Sequence, residues 1–224
     1  MTLFPTLRPL VPPAGIDLRC CGVDEILAEA RGARLVHADP PWTYAREAGV
    51  ANPDTQGIYA TLNEPHIVAH LDRAFDCLDA GRLACWYTWP KDAEWTAAGG
   101  AGPRWGGRTS GGVWVKTPHV GVGYHWRGHS EPVALFVKGA TGRPTELLRN
   151  AHVSPPSDHS EKPVDWLRAW LRAWTSPGDL VVDLYAGLAP MARACLAEGR
   201  RYIGAEIDPE RHAVAVARLH SFIP

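Results

Sequence analysis

Asp39, Pro40, Pro41 and Trp42 directly follow Leu35–Ala38, an apolar segment typical of a buried strand. The carboxylate of Asp39 and the main-chain carbonyl of Pro40 are hydrogen-bond acceptors, and the prolines restrict the loop that holds them. Two such acceptors could bind both hydrogens of an exocyclic amine, as in adenine, and make the nitrogen lone pair nucleophilic. Trp42 adds an aromatic face for a flipped base. The tetrapeptide predicts chemistry on a nucleobase amine; the alternative is a strand-ending turn with a packed Trp.

A second segment, Val181–Gly187, has the pattern of a strand that runs into a glycine-containing turn and a helix. Some twenty residues later, Ile203–Glu206 ends the next strand with an acidic side chain. Such a turn lets the backbone approach a ligand, and Glu206 could accept hydrogen bonds from both hydroxyls of a ribose. The two segments predict an adenosine-containing cofactor, with plain packing of a strand–helix–strand unit as the alternative.

Strands and helices alternate at short spacing around these segments. Hydrophobic periodicity predicts strands at Ile16–Cys20, Ala33–Ala38, Arg82–Thr88, Val113–Lys116, Pro132–Lys138, Leu180–Leu184 and Tyr202–Ile207. It predicts helices at Val23–Ala30, after Asn63, after Pro163, at Pro190–Glu198 and from Pro209. The glycine-rich residues 97–112 are interpreted as a flexible loop. The alternation predicts an α/β fold with a mostly parallel sheet and helices on both faces, in which ligands bind at the carboxyl ends of strands.

The composition bounds the class of protein. With 224 residues, 46% of them apolar, the chain is expected to form one domain over residues 16–224 after an irregular arm at residues 1–15. The net charge of −1 excludes a strongly basic nucleic-acid wrapper and an acidic tail, but not a local basic patch. Five cysteines without a C-x-x-C spacing, no signal-peptide pattern and no run of eighteen apolar residues predict a cytoplasmic protein that does not span a membrane.

The region between Gly99 and Ser130 is locally basic. It contains three Arg, one Lys and three His without Asp or Glu, interleaved with aromatic residues. Such a surface could follow phosphates and stack bases. The alternative is a solvated glycine-rich insertion, at about residues 97–130, whose aromatic side chains pack beneath it. The candidates for nucleic-acid contact are Arg104, Arg108, His119, His125 and Arg127.

Several segments together resemble a known family. Besides Asp39–Trp42 and Asp183–Gly187, the chain contains Val113–Thr117, then His129–Glu131 leading into Leu135–Gly139, and His159–Pro163 before a Trp-bearing helix. In this order the segments resemble the permuted, beta-class-like adenine-N6 methyltransferases with a DPPW signature. That family includes the catalytic subunit of the mRNA adenosine methyltransferase and bacterial and phage enzymes that act on DNA. The resemblance extends over nearly the whole chain from about Ile16.

The resemblance implies a Rossmann-like methyltransferase fold with one antiparallel edge strand, S-adenosyl-L-methionine as cofactor, and methyl transfer to N6 of adenine. DNA is favoured over RNA, because this compact chain is similar to stand-alone bacterial or phage members. By position, Asp39, Pro40, Pro41 and Trp42 would hold the target adenine. The cofactor-binding residues implied are Lys162 at the amino-acid end, Asp183, Leu184, Tyr185, Ala186 and Gly187 in the turn, and Glu206 at the ribose.

Two departures from the family pattern stand out. Where many relatives have a second glycine in the cofactor turn, this chain has Ala189 followed by Pro190, which lacks an N–H. The turn after the first strand is Cys20–Gly22, with Asp24 displaced from the place of the acidic residue that meets the cofactor's adenine. Alternative readings are an N4-cytosine or RNA adenine methyltransferase, or a catalytically silent nucleic-acid-binding module that needs a partner. Whether the chain forms a homodimer or needs a partner subunit stays open.

Other features are interpreted as structural or stay undecided. Trp166, Trp170 and Trp174 recur at helical spacing and are expected in the core. His152 and His159 lack a carboxylate or Cys at ligand spacing, so no metal site is expected. Tyr87 and Trp89 follow a strand and either line the target pocket or pack in the core.

Overall fold

The computed structural model describes residues 12–43, 61–100, 103–118, 128–157 and 161–222. Eight strands form one sheet: β1 Ile16–Cys20, β2 Ala33–Ala38, β3 Leu78–Trp86, β4 Ser110–Lys116, β5 Ser130–Lys138, β6 Ala151–Ser154, β7 Leu180–Asp183 and β8 Arg201–Glu206. Six α-helices accompany them in these ranges: α1 Val23–Glu29, α2 Glu64–Asp76, α3 Asp92–Trp95, α4 Val164–Trp174, α5 Pro190–Glu198 and α6 Pro209–Ser221. None of these helices is long and apolar enough to cross a membrane.

The strand order is β1-β8-β7-β2-β3-β5-β4-β6, so the predicted mostly parallel sheet is confirmed. Only β5 among these strands runs against the others, and it pairs antiparallel with both β3 and β4. The expectation of an antiparallel strand at the sheet edge is wrong, because β4 and β6 pair beyond β5 and place it inside the sheet. At the centre, β2 lies between β7 and β3, which brings the segment after Ala38 next to the segment after Asp183.

The helices cover both faces of the sheet, as predicted. On one face α1 and α2 pack with Trp95 and Trp105 against β2, β3 and β8. On the other face α4, α5 and α6 pack against the sheet, and the Trp stripe of α4 lies in this core. Trp166 and Trp170 are buried and Trp174 is partly buried, so their structural interpretation is confirmed.

Local sequence explains where several helices begin. The side chain of Asn63 accepts a hydrogen bond from the His66 N–H at the start of α2, where Pro65 occupies the first turn. Asp208 caps α6 in the same way through the N–H groups of Glu210 and Arg211. The helix predicted over Pro190–Glu198 is found with those bounds.

The structure corrects the interpretation of residues 97–112 as a flexible loop. Short helical turns occupy Thr96–Gly100 and Pro103–Trp105, and β4 already begins at Ser110. The indoles of Trp95 and Trp105 are buried edge-on against Phe136, with ring centroids 6.2 and 5.0 Å from it, and hold the glycine-rich chain on the sheet. Among the strands, the largest difference is at β3, which was predicted over Arg82–Thr88 and spans Leu78–Trp86, and β6 was not predicted. Of the predicted arm, residues 1–11 lie outside the described residues.

Candidate active site

A cavity of about 380 Å³ opens at the carboxyl ends of the central strands. Its volume lies within the roughly 300–1,000 Å³ that ligand pockets occupy. Segments that follow β1, β2, β3, β7 and β8 all contribute to its wall, so the two predicted segments line one space. The lining includes Cys21, Asp24, Asp39, Pro40, Pro41, Trp42, Tyr87, Glu131, Lys162, Leu184, Tyr185, Gly187, Glu206 and Ile207.

Asp39 belongs to a chain of alternating charges on the wall of the cavity. Lys162 Nζ lies 2.5 Å from Asp39 Oδ2 and 3.2 Å from Glu131 Oε2. Lys116 forms an ion pair with the other carboxylate oxygen of Glu131. The Lys162 side chain is only 4% exposed, whereas that of Asp39 is 29% exposed. Asp39 therefore presents part of its carboxylate to the cavity while a buried cation holds the rest.

Burial and charge oppose each other in this cluster. Burial raises the pKa of Asp39, and the nearby Lys162 reduces this rise without cancelling it. For Glu131 burial also acts to raise the pKa, but the two lysines outweigh it and the pKa is lowered. Burial acts to lower the pKa of Lys162, yet Asp39 and Glu131 hold it above its usual range. Lys162 is thus a permanent cation beside a carboxyl that binds a proton more readily than an ordinary Asp.

Backbone hydrogen bonds fix the loop that follows Asp39. The Pro40 carbonyl accepts a bond from the Trp42 N–H at 2.9 Å, and the Pro41 carbonyl accepts one from the Leu62 N–H at 2.8 Å. The indole N–H of Trp42 donates to the Trp86 carbonyl at 3.2 Å. A carbonyl oxygen has two lone pairs, so that of Pro40 can accept a second bond. The side chain of Trp42 lines the cavity but is largely buried, with Trp95 edge-on at 6.1 Å.

The turn after β7 is closed by Glu206. Its Oε2 accepts the Gly187 N–H at 2.8 Å and its Oε1 accepts the Asp208 N–H at 2.9 Å. Burial raises the pKa of this carboxyl. A carboxylate has about four lone-pair directions, so Glu206 can hold the turn and still accept hydroxyl groups from a ligand.

The departure at Ala189 coincides with an unusual backbone conformation. Gly187 has φ +54° and Ala189 has φ +57°, and Ala189 is the one non-glycine residue with positive φ in the described chain. The left-handed region favours glycine, which explains why glycine suits this position. Pro190 follows as the first residue of α5, where a missing N–H costs no helical hydrogen bond.

Asp183 does not reach the cavity. Its side chain is fully buried, Oδ1 is 2.8 Å from His37 Nδ1 and Oδ2 accepts the Tyr202 hydroxyl at 2.9 Å. Both oxygens are thus turned away from the cavity into the sheet. Of the other predicted cofactor residues, Ala186 is also buried outside the lining, while Leu184, Tyr185, Gly187, Glu206 and Lys162 line the cavity.

Aromatic groups close two sides of the cavity. The Tyr185 hydroxyl lies 2.9 Å from His70 Nδ1, and burial raises its pKa above the usual range. Tyr87 lines the cavity, packed on Trp95 with ring centroids 4.9 Å apart. Trp89 lies outside the lining: it is 56% exposed and donates its indole N–H to Ser130 Oγ at 3.1 Å.

The structure describes two of the five candidates for nucleic-acid contact. Arg104 forms an ion pair with Asp72, and about half of its side chain is exposed. Arg108 donates to the Tyr87 hydroxyl and to Asp92, both at 3.2 Å, and its guanidinium lies 5.3 Å from the Trp95 ring. His119, His125 and Arg127 lie outside the described residues, as does His159. Within the described ranges no group of three His, Cys, Asp or Glu side chains could hold a metal ion.

Sequence reasoning missed Glu131, Lys116 and His37 as members of the site or its support. Glu131 stands in a segment that the family resemblance quotes, so its place in that segment could have marked it. Lys116 stands in another quoted segment, Val113–Thr117, and could have been marked in the same way. His37 gave no local signal, because only the register of the sheet brings it to its partners. Cys21, in the turn that differs from the family pattern, and Asp24, in the first turn of α1, both line the cavity. Asp24 also forms an ion pair with Arg73.

Comparisons with known proteins agree with this architecture. A family model described as "DNA methylase" matches residues 104–217. The Type II methyltransferase M.Cfr9I of Citrobacter freundii is 39% identical over 57 residues, which span 25% of this chain and only 19% of that relative.

Two solved structures share the fold. The crystal structure titled as the M1.HpyAVI–SAM complex has a TM-score of 0.67 and 16% identity, over 91% of this chain and 99% of that one. The PvuII DNA methyltransferase, titled as cytosine-N4-specific, has a TM-score of 0.72 and 12% identity, over 97% of this chain and 94% of that one.

Proposed function

The chain belongs to the DNA methylase family, and we propose that it transfers the methyl group of S-adenosyl-L-methionine to the exocyclic N6 amine of adenine in DNA. The observation that carries this proposal is the shared cavity. Asp39 and Pro40 lie on its wall together with the turn that Glu206 closes. An acceptor pair for an amine and a turn suited to an adenosine group thus meet in one space.

The lining residues fit S-adenosyl-L-methionine. Glu206 can accept the ribose hydroxyls, and Ile207 offers an apolar, 69% exposed side chain next to it for the adenine ring. Gly187 leaves its part of the cavity wall without a side chain, and Lys162 offers a cation to the carboxylate of the amino-acid end. When bound, the cofactor supplies an electrophilic methyl group on a sulfonium. Asp183 supports the turn from within the sheet instead of contacting the cofactor.

Asp39 and Pro40 are the groups that act on the amine. Lys162 bonds to Oδ2 of Asp39, which leaves Oδ1 to accept one amine hydrogen, while the Pro40 carbonyl accepts the other. Both acceptors are fixed before the substrate arrives, so they draw the nitrogen towards sp3 geometry at no cost in reorganisation. N-methylation also releases one proton from the amine, and the raised pKa of Asp39 suits this carboxylate to take it up.

Cytosine is the second candidate base. Its N4 amine could use the same two acceptors, and the PvuII enzyme that shares this fold is titled as cytosine-N4-specific. We place adenine first because the Asp39–Trp42 segment is similar to that of the adenine-N6 enzymes. A methylated cytosine in the product would reverse this order.

The test is transfer of a labelled methyl group to duplex DNA, single-stranded DNA and RNA, followed by mass spectrometry of the nucleosides. We expect N6-methyladenine in DNA, and its loss in Asp39→Ala. The matched control is Asp165→Ala, whose side chain is 89% exposed and pairs with Arg168 on the surface of α4. Methylated RNA alone would refute the DNA assignment. Cofactor binding without any product would favour a module that needs a partner.

The basic residues require a separate measurement. If Arg104 and Arg108 bind phosphates, alanine at both positions weakens DNA binding and lowers the salt slope by about one for each phosphate that is no longer neutralised. Both arginines also have partners within the chain, Asp72 for Arg104 and Tyr87 and Asp92 for Arg108, so each single variant is measured beside the double variant. Unchanged affinity and slope would remove both from the interface.

A further inference from the structure

A row of four buried polar side chains crosses the centre of the sheet beneath the cavity. Trp86, His37, Asp183 and Tyr202 come from the four consecutive strands β3, β2, β7 and β8. Each side chain bonds to the next: Trp86 Nε1 to His37 Nε2 at 3.0 Å, His37 Nδ1 to Asp183 Oδ1 at 2.8 Å, and Tyr202 Oη to Asp183 Oδ2 at 2.9 Å. All four are at most 2% exposed. We call these residues the buried polar row.

The direction of these hydrogen bonds determines which ring nitrogen of His37 carries the hydrogen. An indole N–H can only donate, so Nε2 of His37 accepts from Trp86 and carries no hydrogen. Nδ1 then carries the hydrogen and donates it to Asp183, whose other oxygen accepts from Tyr202. His37 is therefore a neutral imidazole in one tautomer, and both of its nitrogens are satisfied.

Gly204 leaves the space that the row requires. In the sheet register Gly204 lies opposite Asp183, two residues after Tyr202 on the same face. A Cβ at Gly204 would stand 2.1 Å from the Tyr202 hydroxyl oxygen and 2.5 Å from the ring carbon that bears it. The missing side chain at Gly204 thus lets Tyr202 lean along its strand to reach Asp183.

The row is connected to both halves of the candidate active site. Asp39 follows His37 by two residues, and the main-chain carbonyl of His37 accepts the N–H of Leu184, the first residue of the cofactor turn, at 3.1 Å. Trp86 reaches the other side: its carbonyl accepts the indole N–H of Trp42, and its ring lies 5.3 Å from Lys162 Nζ. The buried polar row therefore contacts residues that hold the amine acceptors and also the first residue of the cofactor turn.

We propose that His37 is a positioning residue that, through Trp86 and Asp183, fixes the distance between the amine-binding loop and the cofactor turn. This inference rests on the proposed function, because a methyl transfer needs both reactants aligned in one geometry. Burial of a carboxylate and an imidazole is costly, and apolar side chains of similar size often stabilise a core as well or better. Core stability alone does not account for this polar row, whereas the alignment of two loops does.

The test compares His37→Leu, which has no polar atom in the side chain, with His37→Gln, which keeps one donor and one acceptor. Leu35→Ala is the control, because Leu35 is buried on the same strand and the same face two residues earlier. Each variant is assayed at saturating substrates, with cofactor Kd by calorimetry and KM for DNA measured separately. We expect His37→Leu to lower kcat by about 100-fold while Kd and KM change much less, because misplacement of reactants by about 1 Å has that effect.

Recovery of kcat in His37→Gln distinguishes a positioning role of His37 from a contribution to stability alone. We expect His37→Gln to recover most of kcat, and Leu35→Ala to lower the melting temperature without lowering kcat of the folded protein. A wild-type kcat in His37→Leu would overturn the proposal. So would an equal loss of kcat in His37→Leu and Leu35→Ala.

A second readout does not depend on activity. Hydrogen exchange of the Leu184 amide, which bonds to the His37 carbonyl, is expected to be at least about tenfold faster in His37→Leu than in Leu35→Ala. Equal exchange would overturn the positioning role. If the wild-type chain transfers no methyl group, the proposed function has failed, and this exchange measurement decides the role of the row by itself.

Discussion

Replacement of Lys162 by methionine tests the charge cluster most directly. The substitution keeps an unbranched side chain but removes the cation that lies 2.5 Å from Asp39 and 3.2 Å from Glu131. Two partly buried carboxylates then lie close together without the cation that they share. Removal of one member of a buried ion pair costs about 3–5 kcal/mol. At about 2–4 °C per kcal/mol for a chain of this size, the melting temperature is expected to fall by about 6–20 °C.

The same substitution also changes the pH dependence of methyl transfer. Lys162 opposes the effect of burial on Asp39, so without it the pKa of Asp39 rises further above its ordinary value. The amine needs the ionised carboxylate as acceptor, so activity is lost as the pH falls through the pKa of Asp39. The acidic limb of the rate profile should therefore move to higher pH in Lys162→Met. Rates at saturating cofactor between about pH 5 and pH 9 give this limb.

Lys116→Met is the matched control. Lys116 pairs with Glu131 but does not bond to Asp39, so its loss should leave the acidic limb near that of the wild type. Equal limbs in the wild type and Lys162→Met would refute the assignment of Asp39 as the ionised acceptor. Equal shifts in both variants would show that the effect is not specific to the Asp39–Lys162 ion pair.

Three further predictions concern stability and are measured by thermal or denaturant unfolding. Gly187→Ala is expected to lower the free energy of unfolding by about 1 kcal/mol, because the φ of +54° at Gly187 disfavours a Cβ. Ala189→Gly should change stability little, because relief of about 1 kcal/mol of backbone strain at φ +57° offsets the loss of a buried methyl group worth about 0.8 kcal/mol. A large loss of stability in Ala189→Gly would contradict this balance. Asn63→Ala should lower stability by about 1 kcal/mol through loss of the cap of α2, and an unchanged midpoint would refute the cap. The pKa of Glu131 is lowered in the folded chain, so its contribution to stability is present above the ordinary pKa of 4.5 and is lost as the pH falls below it. Glu131→Gln should therefore lose less unfolding free energy than the wild type as the pH is lowered. The same dependence of stability on pH in both proteins would refute this.

The part of the site that can be predicted consists of segments whose own sequence indicates their structure. Asp39–Trp42 and Leu184–Gly187 each follow an apolar strand, and the alternation of strands and helices places both at the carboxyl ends of parallel strands. Helix bounds such as Pro190–Glu198 follow from caps and periodicity, which are also local.

The remaining part depends on register between distant strands. His37 looks like an isolated polar residue in an apolar strand until Trp86 and Asp183 are placed beside it. Asp183 was predicted to bind cofactor, but the direction of its side chain follows from the partners on β2 and β8. Trp105 stands in a stretch with the composition of a loop, and its packing on Phe136 and its hydrogen bond to Asp72 involve residues far away in the sequence. These contacts join residues that are far apart in the sequence, so no pattern within a single segment predicts them.

The strand order has a consequence for how the chain reaches its fold during synthesis. Among the described strands β1 pairs with β8 alone, and β2 pairs early with β3 but has β7 as its other neighbour, so the pairing of both early strands is completed only by strands that emerge late. Pairings between such distant segments form slowly, and unpaired strand edges are prone to association in the meantime. We expect fragments that end before β7 to aggregate instead of folding. Because the centre of the sheet joins an early strand to a late one, the sheet that forms the site can be completed only after most of the chain has been synthesised.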